Sequence, residues 1–216
     1  MAYDFNGTNQ SMQTASTPVN TPPFTFACFF NVDTLTSANG AVLLGIFHPA
    51  GFSRYLMSIG QAPSPLYAFQ TNASNVGAFA ISTTNVSTAT WSHGAAVFAS
   101  NTERSVFLNG GNNATNTTNN APTNANITRV GIGAQFFNST INSPADGKIA
   151  EVGIWNAALT AAEIASLAKG MTCDKVRPQN LVFYAPLVRN LVDAKGGLSI
   201  TNTNSATVAN HPRVYA

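Results

Sequence analysis

The chain has 216 residues, of which 44% are hydrophobic and only 8% are charged, and it contains 14 phenylalanines. Its length fits one large β-domain, but its charged fraction is far below the roughly 25% of ordinary globular proteins. The net charge is +2 and the few Lys and Arg are scattered, which argues against a nucleic-acid partner. The sequence has no N-terminal signal peptide and no apolar run of the roughly 18 residues that a membrane helix needs, so we expect no membrane contact.

Short strand-like segments follow one another along the chain, separated by turns. The predicted strands are Ala2–Phe5, Phe24–Val32, Ala41–Phe47, Arg54–Ile59, Leu66–Gln70, Val76–Ser82, His93–Ala99, Arg104–Leu108, Thr128–Gly133, Lys148–Trp155, Leu181–Ala185 and Leu198–Thr203. Residues 24–32 are apolar on both faces, which favours a central strand with its second face partly covered. This series predicts an all-β, two-sheet antiparallel sandwich.

We expect a single domain over residues 1–216, in which strands within 181–203 complete the sandwich and residues 204–216 form a short tail. Residues 110–126, rich in Asn and Thr, have no periodicity and follow the turn signal Asn109-Gly110. Two interpretations stay open for this segment: a solvated, mobile hairpin loop, or a projecting loop that contacts a partner or a glycan.

Residues 146–170 predict a buried strand that runs into one short helix near 160–169. Thr160 stands three residues before Glu163, which is the spacing of a capping box at a helix start. Lys169 lies in the last predicted turn, and Gly170 can adopt the left-handed conformation that ends a helix.

Three segments resemble the laminin-G-like, concanavalin A-like lectin-glucanase superfamily. The first contains Trp91-Ser-His93-Gly-Ala95 and continues to Asn109-Gly110, the second is ITRVGIG at 127–133, and the third is 147–164. In the third, Ala150 and Gly153 replace the Asp and Arg that are usual in the family. The resemblance implies a jelly-roll sandwich.

The order of the segments is also informative. A segment similar to the family's "LVAYWPL" stretch usually comes before the first strand, but here Leu181–Leu187 lies near the C-terminus. This circularly permuted order is feasible where chain ends lie close together, and it is similar to versions found among tailed-phage virion proteins.

Because the family includes glycoside hydrolases, a pair of carboxylates on one strand would indicate catalysis. The acidic residues are Asp4, Asp33, Glu103, Asp146, Glu151, Glu163, Asp174 and Asp193. No two stand two or four residues apart on a predicted strand, and the spacing of Asp146 and Glu151 puts them on opposite faces of a regular strand. Glu163 is used in the helix cap. We therefore predict no catalytic residues and no enzymatic activity.

We likewise predict no metal and no cofactor. Asp146 and Asn142 are the best candidate calcium ligands, but the family's acid is missing at Ala150, so Asp146 is interpreted as a turn residue. Gly131-Ile-Gly133 is too short to bind a phosphate.

The three histidines are interpreted structurally. His93 lies in a strand and is predicted to be a satisfied structural imidazole, while His48 and His211 each precede a proline, which indicates extended or turn backbone. Cys28 and Cys173 could form a bridge, but two buried or free thiols are favoured.

The remaining aromatic residues divide into core and loop positions. Trp91 and Trp155 fit strand patterns and are predicted to fill the core. Phe52, Tyr55 and Phe137 are taken as exposed loop residues that could stack on sugars, although no residue is assigned as ligand-binding.

Two functional hypotheses follow. The first is a non-enzymatic phage virion-surface structural protein, of capsid decoration (cement) or head-fibre type, made in the host cytoplasm and working as a homo-oligomer with other virion proteins. It rests on the low charge, which interface cores favour, and on the permuted resemblance. The alternative is a carbohydrate-binding, lectin-like module of a tail fibre or of host-glycan adhesion.

Overall fold

The protein is described from a computed structural model that covers residues 1–35, 40–138, 140–188 and 190–215. Within these residues the chain forms two antiparallel sheets and one separate hairpin. The strands are β1 Ala2–Asn6, β2 Ser11–Thr14, β3 Phe24–Val32, β4 Ala41–Phe47, β5 Arg54–Ile59, β6 Pro65–Thr71, β7 Gly77–Asn85, β8 Ser92–Ser100, β9 Glu103–Leu108, β10 Gly111–Asn116, β11 Arg129–Ile132, β12 Gln135–Phe137, β13 Thr140–Asn142, β14 Asp146–Trp155, β15 Leu181–Ala185, β16 Ile200–Thr203 and β17 Thr207–Ala209. The α-helix α1 is Ala161–Ala168, and short 3-10 helices lie at Asn124–Asn126 and Cys173–Lys175. The predicted all-β sandwich with one short helix is confirmed.

The first sheet, called sheet A, has the order β10-β9-β8-β3-β14-β1-β17, with β15 also beside β14. The long strand β14 shares one edge between two partners, because β1 pairs with its first half and β15 with its second half. A β-bulge between Ala150 and Gly153 interrupts its pairing with β3 on the other edge. The first strand of the chain and a late strand are therefore joined by the same central strand.

The second sheet, called sheet B, has the order β16-β2-β11-β4-β5-β6-β7. One face of each sheet packs into the main core, where Phe24, Phe26, Tyr55 and Phe98 form a cluster of rings with centroids 4.9 to 5.5 Å apart. Strand alternation makes this possible, since successive side chains point to opposite faces of a sheet. The other face of β5, β6 and β7 is left outside the core.

The second face of sheet A is covered by α1, as the two-sided apolarity of β3 predicts. Ile164 and Leu167 of the helix pack with the fully buried Trp155, whose Nε1 donates to the Val176 carbonyl at 2.8 Å. The predicted capping box is present, with the Glu163 amide donating to Thr160 Oγ1 and the Thr160 amide donating to Glu163 Oε2. In the described part of the chain no helix has the length and apolarity to cross a membrane.

Residues 110–126 complete the hairpin that the Asn109-Gly110 turn predicts and are mostly exposed, but they are not a loop throughout. The first part of the segment is β10, which pairs with β9. Its second part is fastened by Arg104, a fully buried residue whose guanidinium donates to Gln70 Oε1, Asn116 Oδ1 and the Thr118 carbonyl. The segment therefore packs against the sandwich rather than projecting from it.

The predicted tail at 204–216 is also partly ordered against the sandwich. Its strand β17 pairs with β1, so that Ala2 and Ala209 are register partners. Further on, Tyr215 forms a parallel bridge with Met171 beside the end of α1, and residue 216 lies outside the described residues. The predicted strands near 181–185 and 198–203 are present as β15 and β16, which join sheets A and B respectively.

Candidate functional site

The outer face of sheet B carries a row of aromatic side chains. In β6, Leu66 and Ala68 point into the core, so the alternate residues Tyr67 and Phe69 point outwards. In β7, which is exposed at every second residue, Phe79 lies opposite Phe69. Neighbouring strands therefore bring three rings together on one surface.

The rings on this surface contact one another and remain open to solvent. The centroids of Tyr67 and Phe79 are 5.3 Å apart with the ring planes 20° from parallel, and those of Phe69 and Phe79 are 6.0 Å apart. Phe79 is 41% exposed. We call these three residues the aromatic platform.

Two glycines make room for the platform. A Cβ atom at Gly60 would lie 2.4 Å from the ring of Tyr67, and one at Gly77 would lie 2.6 Å from the ring of Phe69. Both distances are far below van der Waals contact, so any larger residue at either position would displace a ring.

The β12–β13 hairpin and the loop that precedes β5 form a wall beside the platform. Phe137 of the hairpin stacks on Phe52 of the loop, with centroids 4.9 Å apart. Platform and wall enclose a groove of about 560 Å³. Besides aromatic rings, the groove is lined by side chains that can exchange hydrogen bonds, namely Ser58, Gln61, Asn75, Gln135, Asn142 and Ser143.

Arg54 is the one charged residue among the described residues that line the groove. Its guanidinium carbon lies 5.6 Å from the centroid of Phe69, and its Nη2 donates to Asn75 Oδ1 at 3.4 Å. Burial lowers the pKa of Arg54 from its ordinary value. The groove thus combines ring faces, neutral amides and a single cation.

The sequence predicts two residues of this wall but none of the platform. Phe52 and Phe137, singled out as candidates for stacking on sugars, lie together at the groove. The prediction that Tyr55 is exposed was wrong, because the residue is fully buried and its hydroxyl lies 3.0 Å from Asn124 Oδ1. The signal for the missed residues was the outward alternation of aromatics in two consecutive strands, at Tyr67 and Phe69 and then at Phe79.

The other singled-out aromatics and cysteines lie away from the groove. Trp155 fills the core as predicted, whereas Trp91 is only half-buried at the start of β8. Cys28 and Cys173 are both buried free thiols, which confirms the favoured interpretation. Burial raises the pKa of each thiol.

The histidines have separate environments. His93 is 3% exposed and packs on Phe29, and burial lowers its pKa to about 3. Its Nδ1 has no hydrogen-bond partner among the described residues, so the prediction of a satisfied imidazole was wrong for that nitrogen. His48 lies in the turn after β4, as expected. His211 places Nε2 3.1 Å from Glu151 Oε1.

The candidate calcium ligands are not brought together. Asn142 lines the aromatic groove, whereas Asp146 lines a different pocket and accepts a hydrogen bond from Thr34 Oγ1 at 2.6 Å. Over the described ranges, no group of three or more His, Cys, Asp and Glu side chains is arranged to hold a metal ion.

Two packed antiparallel sheets in a jelly roll, with an aromatic groove on the outer face of one sheet, define a lectin-type sandwich. The sequence profile of the concanavalin A-like lectin/glucanases superfamily matches residues 6–165. The chain therefore belongs to this superfamily, and the resemblance seen in the sequence is confirmed. A comparison with curated protein sequences finds no match.

Solved structures with the same fold come from several sources. A native heptameric SAP-like pentraxin from Limulus polyphemus is 13% identical with a TM-score of 0.63, and the match covers 96% of this chain and 97% of the pentraxin. Domain 4 of an extracellular arabinanase from Geobacillus stearothermophilus, in complex with arabinotriose, is 18% identical with a TM-score of 0.59, covering 77% and 76%. The CBM40 domain of a Ruminococcus gnavus sialidase, bound to α2,3 sialyllactose, is 11% identical with a TM-score of 0.59, covering 78% and 98%.

Proposed function

We propose that the protein is a carbohydrate-binding module whose glycan lies in the aromatic groove. The observation that carries the proposal is the exposed Phe79, stacked on the half-buried Tyr67 beside a set of neutral amides. Sugar rings have apolar C–H faces that pack on aromatic rings, and their hydroxyls exchange hydrogen bonds with amide side chains. The platform and the polar lining match these two requirements.

The size of the groove and the fold relatives support the same proposal. About 560 Å³ lies within the range of roughly 300–1,000 Å³ that is typical of small-ligand sites. The arabinanase domain and the CBM40 domain of the same fold were solved with arabinotriose and sialyllactose. Because these domains share the fold but little sequence with this chain, they support a carbohydrate ligand by analogy of fold.

The proposed activity is binding without catalysis. Apart from the exposed Glu103, the acidic side chains are engaged in the structure. Three carboxylates form ion pairs with a neighbouring cation, namely Asp4 and Asp33 with Lys148 and Glu163 with Arg177. Asp193 accepts hydrogen bonds from three backbone amides. The other three form a hydrogen bond or an ion pair, namely Asp146, Glu151 and Asp174. No acidic residue lines the described part of the groove, which disfavours a glycosidase there.

Binding is tested with a glycan array followed by titration calorimetry on the best ligand, using the wild type and Phe79→Ala. We expect the variant to bind about tenfold more weakly or worse, because a ring that packs on the sugar contributes roughly 1.5–3 kcal/mol. The matched control is Tyr215→Ala, which removes an exposed ring outside the groove and should bind as the wild type does. An array without any bound glycan, or an unaffected Phe79→Ala, would contradict the proposal.

We also propose that the module acts at a virion surface, as part of a decoration or fibre protein, and that it forms a homo-oligomer. The supporting observations are the low charge of the chain and exposed apolar side chains at Val76, Ile81 and Val208, which favour association. The pentraxin of similar fold is heptameric. Light scattering after gel filtration tests the oligomer, and mass spectrometry of purified particles tests the location. A monomer that is absent from particles would contradict this proposal.

A further inference from the structure

Among the described residues, the cation in the aromatic groove has no counterion. All eight acidic residues of the chain lie in the described part of the structure, and none of the ion pairs found there includes Arg54. The arginine is placed at the start of β5, where its guanidinium lies over the ring of Phe69. A charge in this position is partly removed from water, and no side chain in the described part of the chain neutralises it.

The guanidinium is also short of hydrogen-bond acceptors. It has five N–H donors, yet among the described residues its one acceptor is Asn75 Oδ1 at the long distance of 3.4 Å. Its Nε is buried and has no partner there. Unpaired buried donors are costly, so they usually mark a place where something else supplies the acceptor. Arg104 shows the contrast, since its guanidinium donates to four oxygens of the protein.

Arg54 lies next to the aromatic platform, over the ring of Phe69. Phe69 lies between the guanidinium and Phe79, at 5.6 Å from the first and 6.0 Å from the second. Arg54 is paired with Thr71, and Thr71 with Gly77, over which the ring of Phe69 extends. Arg54 and Phe79 line the same groove, so a glycan that packs a sugar ring on the platform can extend along the groove to the guanidinium.

We infer that the glycan bound in this groove is acidic, and that the carboxylate of a uronic or sialic acid unit pairs with Arg54 while the sugar ring lies on the aromatic platform. This inference rests on the proposed glycan-binding function. A carboxylate fits better than a point charge, because its two coplanar oxygens match the planar N–H fork of a guanidinium. The absence of acidic groups from the described lining removes the repulsion that such a ligand would otherwise meet.

The experiment compares acidic polymers with their neutral forms on the wild-type protein. Polygalacturonate and polysialic acid serve as the two probes, each beside its methyl-esterified counterpart, with affinities measured by calorimetry at constant ionic strength. We expect at least one acidic polymer to bind about tenfold more tightly than its ester. Which polymer shows the difference identifies the source of the carboxylate.

Variants then assign the effect to one side chain. Arg54→Gln should lose about tenfold in affinity for the acidic polymer, so that its preference for the acid over the ester disappears. Arg54→Lys, which keeps the charge but not the fork, should fall between Arg54→Gln and the wild type. The matched control Arg213→Gln removes a cation outside the groove and should bind the acidic polymer like the wild type.

The outcomes separate this inference from the function on which it rests. Equal binding of acid and ester by the wild type would overturn the acidic ligand but leave glycan binding intact. An equal loss in Arg54→Gln and Arg213→Gln would indicate general attraction to polyanions and would also overturn it. Binding of no glycan at all would overturn both proposals. The comparison of acid with ester on the wild type decides the question even if Arg54→Gln fails to fold.

Discussion

Glu151 shows how a single residue can depend on distant parts of the chain. Its backbone has a φ of 53°, a left-handed value that is costly for a residue other than glycine, and its side chain is only 4% exposed. The carboxylate accepts from the Tyr184 hydroxyl at 2.6 Å and lies 3.1 Å from His211 Nε2. Burial, with the adjacent carboxylate, raises the pKa of Tyr184. His211, near the C-terminus, therefore lies against the bulge in β14.

The predictability of residue-level features follows their separation along the chain. The contact of Thr160 with Glu163 could be predicted, since it joins residues three positions apart on one helical turn. The contact of Glu151 with His211 could not, because it joins residues that only the packing of the C-terminal segment on sheet A brings together. The aromatic platform lies between these cases. Strand alternation predicts that Tyr67, Phe69 and Phe79 point away from the core, but it does not predict which of these rings contact each other.

The buried His93 makes stability depend on pH. Burial lowers its pKa in the folded state to about 3, whereas an unfolded histidine titrates near about 6.5. Below about pH 6.5, His93 therefore binds a proton in the unfolded state but not in the folded state. We expect the free energy of unfolding to fall, by at most about 1.4 kcal/mol per pH unit from this group, as the pH drops from about 6.5 towards 3.

Urea unfolding between pH 7.5 and 5 measures this dependence while most carboxylates stay ionised. His93→Gln should flatten the slope in that window, and His48→Gln, which changes a histidine in a surface turn, should keep it. A slope that is the same in His93→Gln and in the wild type would show that this imidazole is not the source.

At the scale of elements, Arg104 explains why a low-complexity segment is ordered. Strand β10 consists of Gly, Asn, Ala and Thr, which do not by themselves indicate a strand. Pairing with β9 and the hydrogen bonds from Arg104 supply the order instead. Gln70 continues the network by donating to the carbonyls of Asn101 and Asn120.

Removal of the Arg104 side chain should therefore loosen a defined segment. We expect Arg104→Ala to destabilise the fold by about 3 kcal/mol or more, because it empties buried volume and leaves several acceptors unpaired. Residues 117–123, which lie outside the strands, should become the first site of proteolysis. Limited proteolysis with mass spectrometry and urea unfolding measure the two effects.

The control for that experiment is Arg129→Ala on β11, a half-buried arginine in the opposite sheet. It should leave the cleavage pattern unchanged. If Arg104→Ala resists the protease as well as the control does, the segment is held by its strand pairing alone.

The strands that the sequence predicts are those with an apolar pattern of their own. β3 and β14 carry buried residues on both faces, and such runs are visible without any knowledge of neighbours. β2, β12, β13 and β17 have only three or four residues each. Their local patterns did not predict them, but β11 and β16 are equally short and were predicted, so length alone does not decide which strands a sequence reveals.

At the scale of the whole molecule, the chain order is explained by the neighbours of β14. The family profile ends at residue 165, yet β15 lies beyond it and still pairs with the second half of β14. The first half of that edge is taken by β1, which in turn pairs with β17. Strands from both ends of the chain thus lie side by side in sheet A. Such proximity makes a circular permutation of the order geometrically feasible.

A permuted variant tests whether the order of the strands matters for the fold. New ends between the exposed residues Pro178 and Gln179 would place β15 ahead of β1, and a flexible linker would join the old termini. Ala209 pairs with Ala2, and the residues that follow it up to Tyr215 reach at most about 20 Å from it. A Gly/Ser linker of about 12 residues has a comparable average span.

We expect this permuted protein to unfold cooperatively within about 5 °C of the wild type, because it keeps every strand pair and changes mainly the entropy of one loop. The matched control has its new ends between Cys28 and Phe29, inside the central strand β3, and should fail to fold. Thermal unfolding followed by circular dichroism, together with glycan binding, compares the two. If the variant opened at Pro178 also loses its cooperative transition, then β15 must follow β14 in the chain for the sandwich to form, and adjacency of the ends alone does not explain the permuted order.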